Sequence, residues 1–402
     1  MTTQTPPVPA AITPAEYVER QERTRALVRE RGLDGILVAD PANMHYLTGY
    51  NAWSFYTPQL LFVPADDAPV LLMREMDAQG AHRTAVGMPA DRIVGYPEGH
   101  IHRPDVHPGD WMAGHLRDEG YAAPGRFGFE GEAHFLTPRT FLSISRGLPE
   151  WELVDCQDLV NWLRLVKSPA EIDLMRAAGR VCSAALHAGL GAARPGRRQH
   201  EVAAEILAAQ TRGVGPDHGD YPAIVPIIAT GAAADTPHLT WTDEPLPIDE
   251  PLSFEITGVH RRYHAPIART AVLGRPSTAL DHLAKVTVEG IEAALGTVRA
   301  GVTAGDVARA FSEVIEAAGY EKRSRLGYSI GIGYPPDWGE RTVSIRADDH
   351  TVLAENMTFH LIAGMWITGS GFEVSESIRV TEGGVETLTD VPRRLLVLGE
   401  DA

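Results

Sequence analysis

A strong helix start sits near the middle of this chain. In Ser168-Pro169-Ala170-Glu171 the serine can accept the first free amides, proline suits the first helical position, and glutamate can reach back to the cap amide. Ile172, Met175 and Ala178-Gly179 follow at helical spacing. A chain of 402 residues exceeds the size at which one core keeps growing. The helix therefore opens a second domain, and we expect domains at 1–167 and 168–402.

Ahead of it, residues 1–13 are rich in Pro, Thr and Ala and are expected to be loose. The pattern predicts a helix over 17–31 ended by Gly32, a strand over 33–38 ended by Asp40-Pro41, and strands over 59–63 and 69–72 around a turn at Asp66-Asp67. Helical and strand patterns alternate to about residue 155, as in a small α/β domain. The second domain reads as helices over 169–190, 197–212, 278–296 and 303–318, with breaks at Gly189, Gly191 and Gly301. Strand patterns cover 224–228, 252–258, 263–273, 357–362 and 372–380, and Gly258-Val259 is expected to turn one strand onto the next. The fold class is α+β, with curved antiparallel strands.

Composition narrows the function. A net charge of -17, with no basic patch beyond Arg261-Arg262, argues against a nucleic-acid partner. Cys156 and Cys182 could pair, but two cysteines are no disulfide framework. The start lacks a basic segment followed by an apolar one, and no apolar run reaches membrane-spanning length, so we expect a cytoplasmic protein with no membrane partner.

Several segments carry a resemblance. They are NMHYLTGYNAWSFY (43–56), GDYPAIVP (219–226), PHLTW (237–241), FEITGVHRRYHAPIARTAVLG (254–274), GYSIGIGYPPDWGERT (327–342) and MTFHLIAGMW (357–366). Together they resemble the pita-bread superfamily of creatinase, aminopeptidase P and prolidase, and within it most of all the ectoine hydrolases. The resemblance implies a creatinase-like N-terminal α/β domain followed by a pita-bread catalytic domain. Metal-dependent members of that family use two aspartates, a histidine and two glutamates. Carried over by position, these become Glu255, Pro266, Tyr328, Ile362 and Glu376. Proline and isoleucine offer no donor and tyrosine is a poor ligand at neutral pH, so neither metal nor cofactor is expected.

The remaining groups suit a cationic nitrogen substrate. The resemblance implies a metal-independent hydrolase that opens the cyclic amidine ring of ectoine, or of hydroxyectoine, to an N-acetylated diaminobutyrate, working as a homodimer. Glu255 would be nucleophile or substrate clamp, His238 the general acid/base, Glu376 a holder of imidazole or substrate, and Tyr328 a proton-steering group. Strand alternation puts Glu255 and Ser253 on one face, and His264, Pro266 and Ala268 on one face of the next strand. Thr358, His360 and Ile362 likewise share a face, so Glu255, His264, His360 and His238 are expected to converge. Glu373 and Glu376 cannot share a face of a regular strand, and family position favours Glu376. Arg262 and Arg341 are candidates for the substrate carboxylate, and Trp53 and Tyr56 for a wall of the pocket. A creatinase-type amidinohydrolase, another small C–N hydrolase, an Xaa-Pro metallopeptidase and a non-catalytic binding protein stay open as alternatives.

Overall fold

The computed structural model describes residues 12–399, so the first eleven residues of the Pro/Thr/Ala-rich opening lie outside it. The chain divides into two compact units, one up to Arg164 and one from Leu165.

The N-terminal unit is built on strands β1 (Gly35–Val38), β2 (Leu60–Pro64), β3 (Val70–Arg74), β4 (Ile93–Tyr96), β5 (Gly125–Phe129) and β6 (Trp151–Asp155). Their spatial order is β4-β3-β2-β1-β5-β6. Helices α1 (Pro14–Glu30), α2 (Pro41–Thr48), α3 (Glu75–Thr84), α4 (Pro108–Asp118), α5 (Pro138–Gly147) and α6 (Leu159–Arg164) complete it. β1 is buried along its whole length, as a central strand covered on both faces must be.

The C-terminal unit opens with α7 (Pro169–Ala192). Its N-terminus is the capping box expected from the sequence, and the Glu171 carboxylate also accepts from the Tyr263 hydroxyl at 2.9 Å. Gly189 and Gly191 lie inside α7 and do not break it, because the helix face carrying Gly189 packs against Ile206 of α8 (Gln199–Arg212). Next come β7 (Ile227–Thr230), β8 (Pro251–His260), β9 (Tyr263–Leu273), α9 (Thr278–Thr297) and α10 (Ala304–Ala317). The chain continues through β10 (Gly327–Tyr334), β11 (Asp337–Ile345), β12 (Thr358–Ile367), β13 (Ser370–Val380), β14 (Val385–Thr387) and β15 (Leu396–Leu398).

The main path of this sheet runs β11-β10-β12-β13-β9-β8-β7. A further pairing of β10 with β9, at Ile332 and Tyr263, closes β10, β12, β13 and β9 into a ring. The turn between β8 and β9 falls at Arg261 and Arg262, both at positive φ, and not at Gly258-Val259. Gly258 stays in the strand for another reason. A Cβ there would lie 2.0 Å from the Ala178 carbonyl oxygen of α7, so glycine lets helix and sheet approach.

Alternation sorts the sheet into two faces. Leu252, Phe254, Ile256, Ile267 and Ala271 join one apolar cluster, and Phe359, Leu361, Ala363, Phe372 and Val374 join another. The opposite face is polar and yet buried: Ser253, Glu255, Thr270, His360, Glu373, Ser375 and Ser377 are all at most 5% exposed. A sheet face that is polar and dry at once is costly unless its groups are paired or used.

Candidate active site

The register fixes which side chains meet. Glu255 on β8 pairs with Ala268 on β9, Val374 on β13 with Arg269 on β9, and Ile362 on β12 with Ser375 on β13. One row across the sheet is therefore Glu255, Ala268, Ser375, Ile362. The next row is Ser253, Thr270, Glu373, Gly364. Ser253 and Thr270 hydroxyls lie 3.1 Å apart, and Thr270 accepts from the Glu373 amide at 2.8 Å. Ala268 and Gly364 are the small members, and the Trp366 ring lies over Gly364.

The two carboxyls share one electrostatic environment. Burial pushes Glu255 up from the carboxylate range, and the charge on Glu373 pushes it further. Glu373 is also raised by burial, against the pull of the Trp366 indole N–H that it accepts and of the Lys322 ammonium. Lys322 is half-buried and lies 4.9 Å from the Trp366 ring. Burial lowers it to about 8. Two like charges in so dry a site favour a state in which the pair retains a proton.

Beside this pair runs a chain of neutral groups. Trp338 Nε1 donates to Tyr328 Oη at 2.8 Å, Tyr328 Oη lies 3.0 Å from His360 Nδ1, and His360 Nε2 lies 2.7 Å from Ser375 Oγ. Burial drives Tyr328 well above the usual phenol range, with the Glu255 charge adding to it, and lowers His360 to about 3. Neither carries charge near neutral pH.

Other expected site residues are placed elsewhere. Glu376 lies on the opposite face of β13, where strand parity sends it away from Glu255. It is locked in a buried ion pair with Arg269 at 2.5 Å and accepts from Thr389 at 2.8 Å. Glu373, two residues off the Ser375 row, takes the pocket position instead. His264 has both ring nitrogens engaged: Nδ1 faces the Arg262 carbonyl at 2.8 Å and Nε2 accepts from the Ala223 amide at 3.0 Å. Burial lowers it well below its ordinary range. It pins the segment around Ala223 and does not reach Glu255. Arg262 is fully buried between the rings of Tyr221 and Tyr334 and donates to the Gly333 and Tyr221 carbonyls. A side chain so held is structural and is not presented to a substrate carboxylate.

His238 is exposed and has a left-handed backbone, φ 69°. It precedes Thr240, which bridges Ile227, itself the register partner of Glu255. Thr240 thus lies two strand spacings out from Glu255, and His238, two residues before it, is exposed and not in the buried convergence expected for it. Arg341 is half-buried on β11. On the N-terminal unit, Phe55 is buried against Phe135, whereas Trp53 and Tyr56 are each 58% exposed. Cys156 and Cys182 are buried free thiols in different units and do not pair, and burial pushes Cys156 up to about 12.

Trp366 and Ser375 are pocket residues that the sequence reading missed. Continuing the alternation His360, Ile362 by four more residues would have reached Trp366. Nothing in the sequence alone singles out a serine.

The donor set does not suit a pair of divalent ions. Pro266 and Ile362 have no donor atoms, His360 and Tyr328 are tied to each other, and Glu255 resists ionisation. Among the described residues, no three His, Cys, Asp or Glu side chains form a group that could hold a metal ion.

Residues 173–382 match the model of metallopeptidase family M24, and residues 20–166 match that of the creatinase/prolidase N-terminal domain. The chain belongs to family M24. It is 40% identical to the ectoine hydrolase of Halomonas elongata over 392 residues, covering 96% of this chain and 98% of that protein. It is also 40% identical to an uncharacterized hydrolase/peptidase of Sinorhizobium fredii, covering 95% and 97%. Among solved structures, a prolidase from Thermococcus sibiricus superposes with a TM-score of 0.82 at 19% identity, covering 95% of this chain and 99% of that one. The fold is shared with peptidases of family M24, whereas the donor set described above is a property of this chain's own residues.

Proposed function

We propose that this M24 member is a hydrolase that opens the ring of ectoine, or a close cyclic amidine, to an N-acetylated diaminobutyrate without a metal ion. The observation that carries this reading is the pair of buried carboxyls, Glu255 and Glu373, on one polar face of the sheet, where burial raises both and the charge on Glu373 raises Glu255 further. Near-full-length likeness to an ectoine hydrolase supports the same substrate class.

An amidinium suits such a pair. One carboxylate binds the cation, and the other carboxyl keeps its proton until the leaving group needs it. Glu255 engages the amidine carbon, either as nucleophile or by directing water to it. In both routes the oxygen gained by the carbon comes from water, one ring C–N bond breaks, and the departing nitrogen leaves as an amine carrying the transferred proton. The retained carboxyl proton serves that step, and His238 exchanges protons with solvent at the rim as general acid/base. Arg341 is assigned to the substrate carboxylate. In a homodimer, exposed Trp53 and Tyr56 are assigned to closing the site.

Incubation of the purified chain with ectoine, followed by mass and NMR analysis of the product, tests this reading. We expect ring-opened N-acetyl-2,4-diaminobutyrate and no cleavage of Xaa-Pro dipeptides. Dipeptide cleavage without ectoine turnover would overturn it.

A further inference from the structure

The chain from Trp338 to Ser375 can run in two directions, set by which nitrogen of His360 carries the hydrogen. An indole nitrogen can only donate, so Tyr328 Oη accepts from Trp338. In one direction the phenolic hydrogen goes to His360 Nδ1, its one acceptor among the described residues, and in the other His360 Nδ1 donates to Tyr328 Oη. A neutral imidazole that accepts at Nδ1 carries its hydrogen on Nε2. That hydrogen points to Ser375 Oγ at 2.7 Å. Ser375 Oγ also receives the Ala268 backbone N–H at 2.5 Å.

With the hydrogen of His360 on Nε2, both lone pairs of the serine oxygen are occupied by donors. Its own hydroxyl hydrogen then has no acceptor among the described residues, whereas with the hydrogen of His360 on Nδ1 it would go to His360 Nε2. A buried donor with no acceptor is expensive in an empty site and useful in a filled one. Ser375 stands in the same row as Glu255 with only Ala268 between them. Two strand spacings separate the rows' ends by about 9–10 Å at Cα, room for one small ring between carboxylate and hydroxyl.

We propose that His360 carries its hydrogen on Nε2, that Ser375 is a catalytic hydrogen-bond donor to the oxygen that develops on the attacked carbon, and that Trp338, Tyr328 and His360 are positioning residues that aim it. The proposal rests on the hydrolase reading above and adds the donor opposite Glu255. Because every member is neutral, aiming the hydroxyl costs no charge burial. Loss of Tyr328 Oη would let His360 move its hydrogen to Nδ1. Nε2 would then accept from Ser375 and pull the hydroxyl hydrogen out of the pocket.

A double-mutant cycle on ectoine hydrolysis tests the arrangement, with unfolding midpoints as a control. Ser375→Ala should lower kcat by about 10²–10³-fold with little change in KM, the loss seen for a single donor to a developing oxyanion. Tyr328→Phe should also lower kcat. In the Ser375→Ala background it should have no further effect, because Tyr328 acts only through that hydroxyl. Multiplying losses, or an undiminished Ser375→Ala rate, would overturn the proposal. If Ser375→Ala does not fold, Ser375→Cys keeps the shape with a weak donor and carries the same expectation. Imidazole ¹⁵N shifts of His360 give a readout independent of substrate. Hydrogen on Nε2 is expected in the parent chain, and hydrogen on Nδ1 would sink the relay even with normal turnover. A parent chain that leaves ectoine intact, with His360 protonated on Nε2, would remove the hydrolase reading and leave the relay standing.

Discussion

In the proposed reaction Glu255 is the residue on which the chemistry turns, and burial is what prepares it. A carboxyl at 5% exposure beside a second carboxyl holds its proton above the usual range. Glu255→Gln should reduce kcat on ectoine by about 10²–10⁴-fold while leaving the unfolding midpoint near that of the parent, as steady-state kinetics and thermal melts would show. Near-normal turnover would remove Glu255 from the mechanism. Glu373→Gln takes away the like charge that raises Glu255, so the acid limb of the kcat/KM profile should move to lower pH. The other titratable groups near the pair are Lys322 and Tyr328, and neither is changed by that substitution. Glu255 was legible in the sequence because a lone carboxylate in an apolar strand demands a use. The choice between Glu373 and Glu376 was not, since both are acidic and only register says which shares the face of Glu255. His264 and Arg262 read as candidate ligands for a similar cause: type and strand face are visible in sequence, whereas a partner such as the Ala223 amide or the Tyr221 ring is not.

Strands β8, β9, β12 and β13 act as a two-sided plate whose faces do different work. One face packs α7 to α10, and the other holds the polar row. The helix-facing side contains one charged pair, Arg269 with Glu376, both at most 1% exposed in their side chains. Glu376→Ala leaves a buried guanidinium without its carboxylate and should destabilise the chain by about 3–5 kcal/mol in denaturant titrations. A change under about 1 kcal/mol would show that Arg393 and the nearby carbonyls suffice. Gly258→Ala forces a methyl group against the Ala178 carbonyl and should cost about 1–3 kcal/mol, measured the same way. Helix and strand periods made most of these elements legible, because apolar spacing repeats cleanly in them. The hairpin turn was misplaced since two arginines at positive φ replace the glycines that usually announce it. Strand β10 was legible as well, since Tyr328, Ile330, Ile332 and Tyr334 alternate with Ser329, Gly331 and Gly333, but it was read only as a motif.

At the scale of the whole molecule, the buried acids make stability depend on pH. Glu255 has its folded pKa raised above the unfolded value, so the folded chain binds one proton more tightly. Between about pH 4.3, where the unfolded carboxyl ionises, and the raised folded value, the unfolded state holds fewer protons and stability falls as pH rises. Midpoints for the parent should therefore decline over that window more than for Glu255→Gln, and equal slopes would contradict the burial argument. The broad class of the fold was legible from the capping box and alternating patterns. The closure of four strands into a ring was not, because the Ile332–Tyr263 pairing joins segments far apart in the chain. The same closure gathers neutral and acidic groups where relatives of the fold are named as peptidases. The most direct test compares kcat/KM on ectoine before and after exhaustive chelation, with residual metal counted by mass spectrometry. The side-chain account predicts an unchanged value at a negligible metal-to-protein ratio. A loss of turnover that returns in proportion to added divalent metal would contradict it.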